Sequence, residues 1–301
     1  MAEESARINL HVARAGLAAG LLAGGIIPVA SAANVAPKLA PQPASGVAAP
    51  WCDRLVPRLP TVTAASCRES AVIPSGAKSH NGFPILERDI AASTANAAGA
   101  VPRRVLLLGG IHGDEPSASA LVFRWLQAMD TPAAQGLQWK VAPLLNPDGL
   151  LAAKPQRVNA RGVDLNRNFP TPGWQREAPR YWAKVTRSDP RRFPGKNPLS
   201  EPESRWVHDT IERFRPDLIV SVHAPFGVLD FDGEAEPPRQ FGRLSYRKVG
   251  VYPGSLGNYS GQHKQVPVIT IELPHAQAMP PDAEIQRIWH DMLVWIKQNV
   301  D

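Results

Sequence analysis

Cysteine is scarce. The 301 residues hold two, Cys52 and Cys67, too few for a disulfide framework and without the partners a metal knuckle needs. Charge is modest at 20%, against a usual share of about 25%, and no long block of like charge occurs, which excludes wholesale disorder. Beyond residue 33 no apolar run is long enough to span a bilayer. Internal repeats are absent, as are helix-turn-helix, finger and stacking-platform patterns, so the net charge of +6 carries no nucleic-acid reading. The densest basic stretch, Arg176, Arg180, Lys184, Arg187, Arg191 and Arg192, is broken by Glu177 and Asp189 and reads as a solvated loop.

Proline is abundant instead: 31 residues, about a tenth of the chain and twice the usual share of about 5%. Long loops should follow. At the N-terminus, Arg7 and Arg14 precede residues 15–33 (AGLAAGLLAGGIIPVASAA), apolar or small throughout and closing on Ala30-Ser31-Ala32, a signal-cleavage pattern. Residues 1–33 are therefore expected to be a signal peptide delivering the protein to the periplasm or beyond. Glu3 and Glu4 leave a membrane-anchored or cytoplasmic protein as alternatives. Several glycines and Pro28 argue against a durable transmembrane helix, so no stable span is expected after processing. In an oxidising compartment Cys52 and Cys67 could pair, closing a loop of about 15 residues for roughly 3 kcal/mol. Residues 34–67 read as a Pro/Ala-rich linker and lead-in, and 68–301 as one catalytic domain.

Within that domain, residues 105–111 (VLLLGGI) form a continuous apolar run ending at glycines, a strand buried on both faces. Pro116 then opens a helix at its first position. Further strands are expected over 138–145, 218–222 and 268–273, and helices over 200–214 and 283–298, with a long irregular excursion over 150–199 between them. The alternation predicts an α/β fold: a mixed, largely parallel central sheet flanked by helices, with ligands gathering at the carboxyl ends of the strands.

Three strand ends carry candidate chemistry: His112 and Glu115, His223, and Glu272. Two histidines and a glutamate are a zinc set that leaves a coordination position open, the mark of a catalytic site. Ordinary loop histidines, with Glu115 simply favouring a helix N-terminus, are the bland alternative. Glu272, a lone carboxylate on an apolar strand (VITIEL), is costly to bury and points to function or to a buried salt bridge.

Six segments, in order, resemble the carboxypeptidase A-like zinc carboxypeptidases over about residues 80–298: GGIHGDE (109–115), NPDG (146–149), NARGVDLNRNFP (159–170), FPGKNPLSEPES (193–204), SVHA (221–224) and TIEL (270–273). The first and third are similar to the bacterial murein peptide amidase A branch. The resemblance implies one zinc per chain held by His112, Glu115 and His223, with Glu272 as general base. It assigns Asn166 and Arg167 to the substrate's terminal carboxylate, a task suited to arginine's planar fork, and Arg157 to the scissile carbonyl. Tyr252 is a candidate substrate contact whose register is not fixed. The implied activity is removal of the C-terminal residue of peptides with a free carboxylate, cell-wall peptides ending in γ-D-glutamyl-meso-diaminopimelate above all. Asp230 and Asp232 are positioned to receive that residue's distal ammonium, or form a solvated turn. A deacylase of small acylated amino acids and a catalytically silent peptidoglycan-binding protein are the alternatives.

Overall fold

The computed structural model describes residues 49–93 and 101–300. The expected signal peptide and most of the linker lie outside the described residues. In chain order the elements are α1 (Pro50–Leu55), α2 (Ala64–Glu69), β1 (Ile73–Lys78), β2 (Pro84–Ile90), β3 (Arg103–Leu108), α3 (Pro116–Ala128), β4 (Leu137–Ala142), α4 (Pro147–Leu151), α5 (Trp174–Lys184), α6 (Pro202–Phe214), β5 (Leu218–His223), β6 (Val228–Asp232), β7 (Gln240–Phe241), β8 (Leu244–Ser245), β9 (Val268–Glu272) and α7 (Asp282–Asn299). A π-helical turn spans Gly257–His263. Among the described residues no helix is long and apolar enough to cross a membrane.

Seven strands form one sheet in the order β1-β2-β4-β3-β5-β9-β6. The central four, β4, β3, β5 and β9, are parallel; β1, β2 and β6 join antiparallel. The mixed, largely parallel α/β class expected from the sequence is what the chain adopts. Continuous apolar runs give strands buried on both faces, as in LIVSVH of β5. One face packs on α3 and α7 through Val105, Leu107, Val220, Ile269 and Ile271; the other packs on α6 and the excursion through Leu106, Leu108, Ile219 and Val268.

The lead-in departs from expectation. Residues 50–69 are folded rather than extended, and Cys52, Leu55, Leu59, Val62 and Cys67 enter the main core. Their spacing of three to five residues gives each short helix a buried side. Thr63 and Ser66 form a capping box at α2, and Cys52 and Cys67 are disulfide-bonded. The catalytic unit therefore begins by Pro50, not at residue 68.

The expected strand over 105–111 stops at Leu108, because Gly110 adopts a left-handed φ of 59° and turns the chain toward Ser119. The excursion is also more regular than expected. It contains α5, which buries Trp174 and Ala178, four residues apart.

Candidate active site

β3 lies between β4, reached through α3, and β5, reached by the opposite crossover. Ligand crevices form at such a reversal, outside the carboxyl ends of the strands. A cleft of about 330 Å³ opens there, and all ten residues singled out from the sequence line it: His112, Glu115, Arg157, Asn166, Arg167, His223, Asp230, Asp232, Tyr252 and Glu272.

His112 and Glu115 leave β3 on the turn into α3, and His223 ends β5. Their ligand atoms lie within 4.8 Å of one another, and all three side chains are buried. His112 Nδ1 is 2.9 Å from one Glu115 oxygen and His223 Nδ1 is 3.3 Å from the other. Burial alone would raise the Glu115 carboxyl, but the two histidines outweigh it and hold it well below the usual carboxylate range. A deprotonated carboxylate and two imidazole nitrogens converging on one point are a donor set suited to zinc. The turn is closed by a tight approach: a Cβ on Gly113 would run into the backbone of Gly149 and Leu150, which locks GGIHGDE against NPDG.

The excursion supplies the next layer. Asn159 folds its hairpin by accepting from the backbone of Arg161 and Val163, and its amide donates to Glu201 and Glu203 at the start of α6. Asp164, fully buried, stands 3.2 Å from His112 Nε2 and accepts from Arg157 Nε at 2.9 Å. That contact orients the imidazole so that Nδ1 faces Glu115. Arg157 Nη1 then sits 3.6 Å from Glu115, beside the metal-ligand set. Asp164 carried no separate expectation; its place in VDLNRN, two residues before Asn166, was the available signal.

Asn166 Oδ1 accepts from Leu256 N at 2.8 Å, which fixes the amide and leaves its N–H groups toward the cleft. Arg167 is buried with no acid partner among the described residues. Burial, with the Arg157 and Arg192 charges, outweighs the attraction of Asp164 and lowers its guanidinium to about 10. The guanidinium lies over the Tyr252 ring at 4.5 Å, and Tyr252 donates its hydroxyl to Val249 O at 3.1 Å. This brings Tyr252 into the site, which spacing could not decide.

Glu272 ends β9 directly across from His223 in register. No cation pairs with it among the described residues, so the salt-bridge alternative does not hold; one of its oxygens is buried without a partner. Burial and the Glu115 charge raise its carboxyl, against the pull of His223.

Asp230 and Asp232 correct the turn alternative. They lie on β6, antiparallel to β9, and both are buried. Strand alternation sends Leu229 and Phe231 into the core and the two carboxylates to the cleft, where Asp230 pairs in register with Thr270. Gly257 and Gly261 of the π-helical turn make the room, since a Cβ at either would strike Asp232. Burial raises both carboxyls, and with Asp230 beside it Asp232 reaches about 6. No cation pairs with either among the described residues.

The basic stretch divides. Arg176, Arg180 and Lys184 are exposed on α5 and Arg187 is exposed just beyond it, so these four are solvated as expected but three of them sit on a helix rather than a loop, whereas Arg191 and Arg192 line the cleft.

A zinc carboxypeptidase family model matches residues 63–231. The chain belongs to the zinc carboxypeptidase family. It is a metalloenzyme whose cofactor is zinc, and His112, Glu115 and His223 are the candidate ligands. It is 32% identical over 186 residues to murein peptide amidase A of Vibrio campbellii, covering 58% of this chain and 71% of that protein. The corresponding Escherichia coli K12 protein is 32% identical over 167 residues, 55% of this chain and 59% of the relative. Among solved structures, murein-tripeptide amidase of E. coli O157 matches with a TM-score of 0.51 and 24% identity over 74% of this chain and 97% of that one. Carboxypeptidase A of Helicoverpa armigera matches with a TM-score of 0.59 and 20% identity over 78% and 71%. These two are likenesses of fold.

Proposed function

We propose that this metalloenzyme removes the C-terminal residue of cell-wall peptides, cleaving the bond between γ-D-glutamate and meso-diaminopimelate. One observation carries the reading. A single cleft holds a buried arginine with no acid ion-paired to it and, on β6, two buried carboxylates with no cation ion-paired to them among the described residues. A C-terminal residue bearing a carboxylate at one end and an ammonium at the other satisfies both, and diaminopimelate is such a residue. The names of the two amidase relatives point the same way.

His112, Glu115 and His223 would hold zinc, which supplies the Lewis acidity that lets water lose a proton near neutral pH. Arg167 and the free amide of Asn166 would grip the terminal carboxylate, the guanidinium bidentately. That grip sets which bond reaches the metal end of the cleft. Arg157, held by Asp164, would donate to the scissile carbonyl oxygen as negative charge develops on it. Glu272 is assigned as the base: its carboxylate accepts a proton from the attacking water and returns it to the nitrogen as the C–N bond breaks. Tyr252, stacked on Arg167, would wall the terminal residue. Asp230 and Asp232 would receive the distal ammonium. An exported location belongs to the same proposal, supported by the leader pattern over residues 1–33 and by the Cys52–Cys67 bond, since disulfides persist in oxidising compartments.

Incubating the zinc-loaded protein with defined muropeptides and identifying the released residue by mass tests this. Diaminopimelate release from the tripeptide is expected, lost with a chelator and regained with zinc. Release of D-alanine alone, or of nothing, refutes the assignment.

A further inference from the structure

We propose that Arg192 is a second carboxylate-binding residue of this cleft, holding an acidic group of the substrate other than its C-terminal carboxylate. The identity of the substrate rests on the cell-wall reading above; the subsite rests on the following geometry.

The short turn Pro190–Arg192 comes off the excursion at the rim, capped by Asp189, whose side chain accepts from Arg191 N at 2.9 Å. Its two arginines behave differently. Arg191 reaches Asp114 Oδ2 at 2.8 Å, tying the turn to the loop that carries His112 and Glu115. Arg192 is half-buried in the cleft wall and has neither an ion pair nor a side-chain hydrogen bond among the described residues. Its charge is felt by Arg167, which has the Asp164 charge near it but makes no ion pair among the described residues. Two cations therefore face one partly enclosed space and repel each other in the free protein. Arg157, the third arginine of the floor, differs because it pairs directly with Asp164 at 2.9 Å, whereas Arg167 feels that carboxylate only through space.

A ligand that relieves this arrangement brings two negative groups. The terminal carboxylate satisfies Arg167 and Asn166, and a second satisfies Arg192. γ-D-Glutamyl-diaminopimelate offers two groups of that kind. One is the free α-carboxylate beside the γ-linked bond; the other is the carboxylate at the far end of diaminopimelate. Both present the same planar acceptor to a guanidinium. Partial burial makes such a bond stronger than a solvated surface pair.

The test compares the protein with Arg192 intact and as Arg192→Gln against four peptides: γ-D-Glu-meso-diaminopimelate, its α-amidated form, γ-D-Glu-L-Lys, and the amidated lysine form. Turnover is measured in the active enzymes, and binding by calorimetry in a Glu272→Gln background. Arg192→Gln should weaken the parent peptide about tenfold, mainly in KM and Kd, and leave the peptide lacking both extra carboxylates unchanged. Insensitivity of the amidated form identifies the α-carboxylate as the partner; insensitivity of the lysine form identifies the distal one. Arg192→Lys, which keeps the charge, should recover part of the loss. An equal loss for all four peptides, no loss for any, or no binding at all overturns the subsite. Should the active enzyme cleave none of them while the Glu272→Gln protein binds in the Arg192-dependent way, the cleavage reading fails and the subsite stands.

Discussion

Asp232→Asn tests the specificity pocket through two independent measurements. Burial and the Asp230 charge raise Asp232 from 3.8 to about 6, and at about 1.4 kcal/mol per pH unit the ionised carboxyl costs the free protein roughly 3 kcal/mol above that pH. The folded value lies above the unfolded one. The stabilising contribution is therefore complete below about 3.8 and is lost as pH rises through about 6. Urea unfolding from pH 4 to 8 should show wild type losing stability relative to Asp232→Asn across that window. Activity should move the other way. The ratio of kcat/KM for diaminopimelate-ended over alanine-ended peptide should fall about 10- to 100-fold in the variant, the worth of a charge-assisted bond to a buried acceptor. In wild type the same ratio should decline below about pH 6, and the ratio cancels any pH effect common to both substrates. An unchanged ratio at pH 7.5 would refute the placement of the ammonium, and a less stable variant at pH 8 would refute the assignment of an unpaired buried charge.

Glu272→Gln should keep stoichiometric zinc and peptide affinity while kcat falls by about 10²- to 10⁴-fold; near-normal turnover would remove Glu272 as the base. Asp164→Asn should weaken zinc binding about 10- to 100-fold in a chelator competition, because His112 loses the partner that orients it, and unaltered affinity would count against that contact. Replacing Cys52 and Cys67 by serine should lower unfolding free energy by about 3 kcal/mol, the closure term for their 15-residue separation, and a loss below about 1 kcal/mol would mean the core holds the lead-in unaided.

The central strands were legible because β3, β5 and β9 are short apolar runs ending in glycine or in a polar residue, and a strand buried on both faces has few other ways to be written. β6 was not. VLDFD followed by glycine carries the residues of a turn, and only pairing with β9 makes its alternation a strand with a core face and an acidic face. The lead-in misled in a similar way. Its prolines and alanines resemble linker composition, while its core contacts are made with α3, more than fifty positions along the chain. Arg191 and Arg192 were indistinguishable from their four basic neighbours by composition, since which side of a loop meets a cleft is not a local property.

The sequence by itself pointed to the α/β class, the candidate metal-ligand trio and the base candidate, because each is tied to a strand end whose chemistry is local; Arg167 with Asn166 at the terminal carboxylate and Arg157 at the scissile carbonyl came only with the family resemblance. Tertiary structure alone decided that Asp164 orients His112, that Tyr252 stacks on Arg167, that Asp230 and Asp232 are buried in the cleft wall, and that Arg192 lines the cleft with no ion pair among the described residues. Those are relations between segments far apart in the chain, set by the sheet order and by glycines that admit close approach. Their consequences, the raised carboxyls above all, come from burial, which no stretch of sequence carries on its own.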